Sequence, residues 1–128
     1  MIHGIGTDIV AIDRMTQLLA LDSDRFAKRI LADHEYQHYL TVKEQAAFLA
    51  KRFVAKEAAA KALGTGFRDG LSLHDIYVTH NDAGKPILNF SGRGAELIKE
   101  FGITDTHLSL SDEKEFAIAF VTLISEKS

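Results

Sequence analysis

The fold of this chain is decided by a stretch of helix-forming residues at positions 52–66, RFVAKEAAAKALGTG. Its alanines favour a helix, and Gly64 is a typical residue to end one. Glu57 and Lys61 are four residues apart and therefore lie on one face of that helix. Because the neighbouring positions on this face are apolar, the charged pair indicates a functional site.

The helix is predicted to begin at a capping box and to be long. Thr41 and Glu44 have the capping-box spacing, in which each side chain satisfies the backbone amide of the other residue. A helix from there to about Leu63 has roughly 22 residues and a length of about 33 Å. Its many alanines allow another element or a cofactor to approach its backbone closely. We therefore predict a long central helix.

Alternating apolar residues at positions 2–12 predict a first strand, with Asp8 near its C-terminal end. Asp13 is predicted to cap a short helix to about Leu21, and Asp22 to begin a break before a second helical stretch. The other predicted elements are a short helix at 34–40, a hairpin of strands at 76–78 and 86–90, a helix at 92–101, and a hairpin of strands at 106–111 and 116–125. This order predicts an α+β fold, an antiparallel sheet with helices packed on one side.

Composition narrows the class of protein. The 128 residues suit a single domain over positions 1–128, and there is no cysteine. No apolar run approaches the ~20 residues of a membrane span, so we expect a soluble, cytoplasmic protein that does not bind membranes. A net charge of -3 argues against nucleic-acid binding. A local basic cluster nevertheless indicates an acidic partner. It consists of Arg14, Arg25, Lys28 and Arg29.

Two acidic residues, Asp8 and Glu57, lie in apolar segments far apart in the sequence. Taken singly, Asp8 is explained as a helix cap and Glu57 as an ion-pair partner of Lys61. Taken together, two carboxylates suit Mg²⁺, which uses one or two of them and completes its octahedron with water and phosphate oxygens. Lys61 adds a point charge for a phosphate. The residues thus predict a metal site for a phosphate-containing substrate.

Two further features have both a structural and a binding interpretation. Residues 64–66 either end the helix or expose backbone amides to a phosphate, although the end of a helix is the negative end of its dipole. His107, Ser109 and Ser111 alternate with leucines, so they share one strand face that is either solvated or lines a pocket. The residues alone leave both choices open.

Three blocks of the sequence resemble a known superfamily. They are residues 6–10 (GTDIV), followed by Ile12 and Arg14; residues 52–66; and residues 107–111 (HLSLS). In these blocks the chain is similar to the phosphopantetheinyl transferase superfamily, in its short trimeric type, and the similarity runs from end to end. The resemblance implies the fold of that superfamily, an antiparallel sheet packed against a long central helix.

The resemblance also implies a reaction, in which 4′-phosphopantetheine moves from coenzyme A to a serine of an acidic apo acyl carrier protein. Adenosine 3′,5′-bisphosphate is released, and the product serves fatty acid biosynthesis. The implied cofactor is Mg²⁺ held by Asp8 and Glu57, with Lys61 as a third catalytic residue, in active sites at the interfaces of a homotrimer.

The residues predicted to bind fall into two groups. The predicted coenzyme A contacts are Arg52, Lys61, Gly64, Thr65, Gly66, His107 and Ser109. The predicted carrier contacts are Arg14, whose position the resemblance assigns to docking, and the other basic residues of the cluster, Arg25, Lys28 and Arg29, whose charge suits an acidic carrier. Two positions depart from the pattern of the superfamily. Ala11 stands where glutamate is frequent and Asp112 where histidine is frequent, and the second departure puts the role of the last strands in coenzyme A binding in question.

The acceptor of the serine proton stays open between a metal-bound water, Glu57 and Asp8. Two rival functions are also considered. A non-catalytic coenzyme A-binding module is disfavoured by the presence of both acids. A Mg²⁺-dependent nucleotide hydrolase is disfavoured because the basic cluster would have no role in it.

Overall fold

The computed structural model describes residues 1–126. Its elements are β1 (Ile2–Ala11), α1 (Ile12–Ile30), α2 (Asp33–Tyr39), α3 (Gln45–Leu63), β2 (Ile76–His80), β3 (Pro86–Phe90), α4 (Gly92–Glu100), β4 (Ile103–Asp112) and β5 (Phe116–Ser125). The strands pair antiparallel, in a three-stranded sheet of order β1-β5-β4 and a separate β2-β3 hairpin. The α+β prediction and both predicted hairpins are confirmed, although the hairpins belong to two sheets rather than one.

Helix α3 is the centre of the molecule. It packs on the inner face of the three-stranded sheet and also contacts α1, α2 and β2. Its alanines and apolar residues from Leu49 to Leu63 are almost completely buried, except Phe53, which is partly buried. Apolar residues all around a helix are expected when it is enclosed on every side. The predicted long central helix is therefore confirmed.

Strand β1 lies directly on the backbone of α3. Gly4 and Gly6 point inward, and a Cβ atom added to them would lie 2.0 Å from the carbonyl oxygen of Ala62 and 1.9 Å from that of Ala58. Glycine is required there because any side chain would collide with helix backbone. Asp8 follows on the same inward face, since alternate residues of a strand point the same way. This close approach brings Asp8 to the surface of α3.

The predicted start of α3 is wrong. The helix has 19 residues and begins at Gln45. The Thr41 hydroxyl instead donates a hydrogen bond of 2.7 Å to the carbonyl oxygen of His38. A local bond of this kind competes with helix capping, and here it stabilises the turn that follows α2.

Helix α1 also differs in part from its prediction. It begins at Ile12, with Asp13 in its first turn rather than at its cap. The break predicted at Asp22 is present as a kink, with φ -163° and ψ 86°. The Asp22 carboxylate accepts a hydrogen bond of 3.3 Å from the Arg25 amide, so it caps the second half of the helix as predicted.

The outer face of the three-stranded sheet is open and apolar. Its large side chains are between 42% and 58% exposed. They are Ile5, Ile9, Phe116, Ile118 and Phe120. The prediction that the helices pack on one side is confirmed, since α3 covers only the inner face.

Candidate active site

Asp8, Glu57 and Lys61 meet where β1 crosses α3. The Lys61 ammonium donates hydrogen bonds to the Asp8 carboxylate at 3.1 Å and to the Thr7 carbonyl oxygen at 2.9 Å. The Asp8 side chain is mostly covered, whereas half of Lys61 is exposed to solvent. Asp8 and Lys61, which are 53 positions apart in the sequence, are therefore hydrogen-bonded to each other at the protein surface.

Glu57 belongs to the same cluster. Burial raises its pKa, the negative charge of Asp8 raises it further, and the positive charge of Lys61 opposes both effects. The two carboxylates thus repel each other, and the Lys61 ammonium, which is hydrogen-bonded to Asp8, offsets this repulsion only in part. Such an arrangement favours the binding of a further cation.

The donor set fits Mg²⁺. Within residues 1–126, no group of three or more histidines and carboxylates gathers around one point. Two carboxylates beside an open surface are nevertheless what Mg²⁺ commonly takes from a protein, because water and substrate phosphates fill its other positions. A zinc-type site with three or four protein ligands does not match this arrangement.

Gly64, Thr65 and Gly66 end α3. The Gly64 amide donates to the Lys61 carbonyl oxygen at 3.0 Å and the Gly66 amide to that of Ala60 at 3.2 Å. Both glycines have positive φ angles, 87° and 61°. Since the amides of Gly64 and Gly66 are used in the helix cap, the structural interpretation of this loop holds for those two residues. Space is open beside both glycines, so a contact of this loop with coenzyme A stays a prediction.

Arg52 lies elsewhere. It is nine residues before Lys61, which places it about half a turn around α3. Its guanidinium carbon is 4.5 Å from the centre of the Phe48 ring, and its Nε is 3.4 Å from the Glu35 carboxylate. It lines a cavity of about 410 Å³ with other basic side chains. These are His38, Lys51 and His80.

This basic cavity has the charge expected of an anion site. Burial lowers the pKa of His80, and the positive charges of Arg52, His38 and Lys51 lower it further. Lys51 also lies 3.8 Å from the carboxylate of Asp112, one of the two positions that depart from the superfamily pattern. An anion in the cavity would relieve the repulsion among the cations.

His107, Ser109 and Ser111 are exposed on the outer face of β4, while Leu108 and Leu110 face inward. The predicted alternation is confirmed. In the register of the sheet, Ser109 lies opposite Phe120. These polar residues therefore adjoin the apolar outer face, on the other side of the sheet from α3 and from Asp8.

The basic cluster lies on α1, and all four of its residues are exposed. Arg25 and Arg29 flank a shallow groove of about 210 Å³ whose lining includes Leu18, Leu21 and Phe26. Lys28 pairs with Asp24 at 3.2 Å. Arg14 lies in the first turn of α1, which continues directly from β1 and its Asp8. The groove thus combines an apolar floor with two arginines and one acidic residue, Asp22, at its edges.

Sequence reasoning missed the pair of Glu35 and Lys56. Both side chains are fully buried, with 2.6 Å between the lysine Nζ and a carboxylate oxygen. The signal available was the position of Lys56 among buried alanines of α3. A matching acid in α2 was not recognisable, because only the tertiary fold brings it near.

Comparison with known proteins shows to which family this chain belongs. The sequence model of the 4′-phosphopantetheinyl transferase superfamily matches residues 4–121. The chain is 54% identical over 127 residues to the holo-[acyl-carrier-protein] synthase of Nitrosococcus oceani, covering 99% of this chain and 82% of that protein. The chain therefore belongs to the 4′-phosphopantetheinyl transferase superfamily and, within it, to the holo-[acyl-carrier-protein] synthase family.

Solved structures agree with that assignment. The holo-[acyl-carrier-protein] synthase of Neisseria meningitidis superimposes with a TM-score of 0.93 at 40% identity, covering 98% of this chain and all of the other. That of Bacillus anthracis, solved in complex with coenzyme A (3′,5′-ADP), gives 0.83 at 41% identity, covering 98% and 99%. The predicted fold class is confirmed. Across residues 1–126, the helices are too short or too polar to cross a bilayer.

Proposed function

We propose that this protein transfers 4′-phosphopantetheine from coenzyme A to a serine of apo acyl carrier protein, for fatty acid biosynthesis. The observation that carries the proposal is the meeting of Asp8, Glu57 and Lys61 at one solvent-facing point of a phosphopantetheinyl transferase fold. In the reaction the serine hydroxyl gives its proton to a base, for which Asp8, Glu57 and a bound water are the candidates, and its oxygen bonds to the phosphorus that carries the pantetheine. The phosphoanhydride bond breaks, and adenosine 3′,5′-bisphosphate leaves.

The chemistry of the cluster suits this step. Phosphoryl transfer depends mainly on positioning and on stabilising negative charge. Lys61 is held in place by Asp8 and Thr7, so its ammonium is a fixed positive charge beside the reacting pyrophosphate. Asp8 and Glu57 would hold Mg²⁺, which supplies neutralisation of the phosphate oxygens when bound.

Coenzyme A is proposed to contact the Lys61 and glycine-loop region, the basic cavity at Arg52, and His107 with Ser109. Within one chain these three places lie apart, on two sides of α3 and on the outer face of the sheet. A single 14.1 kDa chain therefore does not gather all of them around one ligand. Side chains from neighbouring subunits would complete the binding site for coenzyme A.

The outer face of the sheet supports a homotrimer with active sites at its interfaces. Five large apolar side chains are half exposed there, beside His107 and Ser109. An apolar patch of this kind is typical of subunit interfaces. Copies of this chain packed on it would bring the polar residues of β4 to a neighbouring subunit. Sedimentation velocity is expected to show a trimer, and Phe120→Lys a monomer with little transfer; a wild-type monomer that is fully active would refute this assembly.

The groove on α1 is proposed as the docking site of the acidic carrier protein. Its arginines supply complementary charge and its apolar floor supplies buried contact area. Since α1 continues from β1, a carrier docked along α1 can extend from the groove toward Arg14 and Asp8 at the start of the helix. We further propose that the enzyme works as a single domain in the cytoplasm, independently of nucleic acid and membranes.

One experiment tests the proposed function. The protein is incubated with coenzyme A, Mg²⁺ and an apo acyl carrier protein, and the carrier is weighed by mass spectrometry. Addition of phosphopantetheine supports the proposal. Breakdown of coenzyme A without addition would indicate a hydrolase, and intact reactants would indicate a binding module; either result would overturn the proposal.

A further inference from the structure

A buried cluster of three charges lies beneath the basic cavity. Lys56 Nζ is 2.6 Å from Glu35 Oε1, and Arg52 Nε is 3.4 Å from Glu35 Oε2. All three side chains are at most 5% exposed. Burying charged side chains costs free energy unless they are paired, so the presence of three of them together indicates a specific role.

Glu35 is the hub of the cluster. Its Oε1 accepts hydrogen bonds from the Ala32 amide and Lys56, and its Oε2 accepts one from the Val78 amide. Lys56 also donates to the Leu73 carbonyl oxygen at 3.0 Å. One carboxylate thus joins α2, α3 and β2 around the base of Arg52.

Glu35 does not neutralise the cluster completely. Two cations face one carboxylate, which leaves an excess positive charge next to the cavity. Burial lowers the pKa of both Lys56 and Arg52, and the charge of Glu35 opposes that effect. An anion that enters the cavity would supply the second negative charge.

The orientation of Arg52 is restrained by two neighbours, although its buried Nε makes no hydrogen bond. Phe48 covers one face of the guanidinium, and Glu35 faces its Nε edge at charge-contact distance. The guanidinium borders the cavity together with Lys51 and His80. Because Arg52 is ordered before any ligand arrives, little conformational entropy is lost when it binds one.

From this geometry we infer that Glu35 is a positioning residue, which orients Arg52 in the cavity to bind a phosphate group of coenzyme A. The inference rests on the proposed function for the identity of the ligand. Glu35 itself does not line the cavity, so its effect on the ligand passes through Arg52. A purely structural role of Glu35 would instead stabilise the fold without altering phosphate binding.

The test is a double-mutant cycle between Glu35→Gln and Arg52→Ala, read by calorimetric binding of adenosine 3′,5′-bisphosphate. Glu35→Gln raises the positive charge beside the cavity, which by itself would strengthen the binding of an anion. The loss of the oriented Arg52 contact is expected to outweigh this effect and to weaken binding about tenfold. The KM for coenzyme A should rise in parallel, while kcat and the KM for the carrier stay within about twofold. In the Arg52→Ala background, Glu35→Gln should have no further effect on binding.

Glu96→Gln is the matched control. Glu96 also pairs with an arginine, Arg93 at 2.9 Å, but on the exposed surface of α4. It should leave binding unchanged. An unchanged affinity in Glu35→Gln, or the same loss with and without Arg52, would overturn the inference.

A second variant guards against misfolding. Glu35→Gln combined with Lys56→Met removes the buried pair as a unit, which proteins often tolerate. It should bind the bisphosphate about tenfold more weakly while melting cooperatively, and wild-type affinity would again refute the inference. The two proposals fail in different ways. If the wild-type protein does not modify a carrier but Glu35→Gln weakens bisphosphate binding through Arg52, only the proposed function is refuted. If the wild-type protein modifies a carrier and Glu35→Gln leaves binding unchanged, only the positioning role of Glu35 is refuted.

Discussion

Substitution of Gly6 by alanine is expected to damage the active site more than the fold. The added Cβ atom would lie 1.9 Å from the Ala58 carbonyl oxygen and 2.8 Å from the Ala62 amide nitrogen. Both are backbone atoms in the middle of α3, so no side chain can turn away to make room. Strand and helix must separate by roughly 1 Å to reach even a tight contact.

The expected losses of stability and of turnover follow from these distances. Overpacking against a rigid backbone costs about 3 kcal/mol, which lowers the Tm of a chain of this length by roughly 10 °C. Asp8 is two residues along the same face of β1 and would move with the strand, away from Lys61 at 3.1 Å. A displacement of about 1 Å at a catalytic group reduces turnover by about 100-fold.

The assay measures Tm by calorimetry and kcat for carrier modification at a temperature where the variant is fully folded. Gly84→Ala is the matched control, because Gly84 has φ 86° and its added Cβ meets nothing within 4 Å. It should cost about 1–2 kcal/mol through backbone strain while leaving kcat unchanged in the folded protein. A Gly6→Ala variant with wild-type Tm and kcat would refute the packing argument, and equal losses of kcat in both variants would show that stability alone governs activity.

The remaining predictions concern the site and the partner surface. Asp8→Ala is expected to abolish transfer through loss of the metal, with partial recovery in excess Mg²⁺; wild-type activity at limiting Mg²⁺ would contradict the metal assignment. Lys61→Ala should lower kcat more than it weakens coenzyme A binding, and Lys61→Arg should restore little, because a forked guanidinium does not replace a point charge; unchanged kcat would reduce Lys61 to an ion-pair partner of the acids. Arg14→Glu should raise the KM for the carrier by about tenfold or more at low salt, less at high salt, and leave the Kd for coenzyme A intact; the reverse pattern would place Arg14 in the cofactor site.

Local sequence was sufficient for most of the secondary structure. Helix α3 was predictable because its alanines and the glycine after Leu63 act within a few residues. Both hairpins were predictable from alternation and turn residues. The start of α3 was not predictable in this way. The Thr41 hydroxyl can either cap α3 or donate a hydrogen bond to the His38 carbonyl oxygen, and the second bond forms here because α2 precedes it.

Residue chemistry and family resemblance together were sufficient to select Asp8, Glu57 and Lys61. Their meeting depends on Gly4 and Gly6, whose missing side chains let β1 touch α3. The pattern Gly-x-Gly-x-Asp was visible in the sequence, but its partner on the helix was not. Spacing within one element is set by local geometry, whereas contact between elements is set by packing.

The sequence by itself determined the class of fold, the position of the central helix and the charged residues that are candidates for catalysis. Only the tertiary structure decided that Glu35 and Lys56 are buried partners, that the amides of Gly64 and Gly66 are committed to a helix cap, and that Arg52 lines a cavity to which Lys61 does not contribute. The physical reason is that hydrogen-bond partners, burial and the direction of a side chain depend on residues distant in sequence. These become neighbours only when α2, α3 and the sheet pack together.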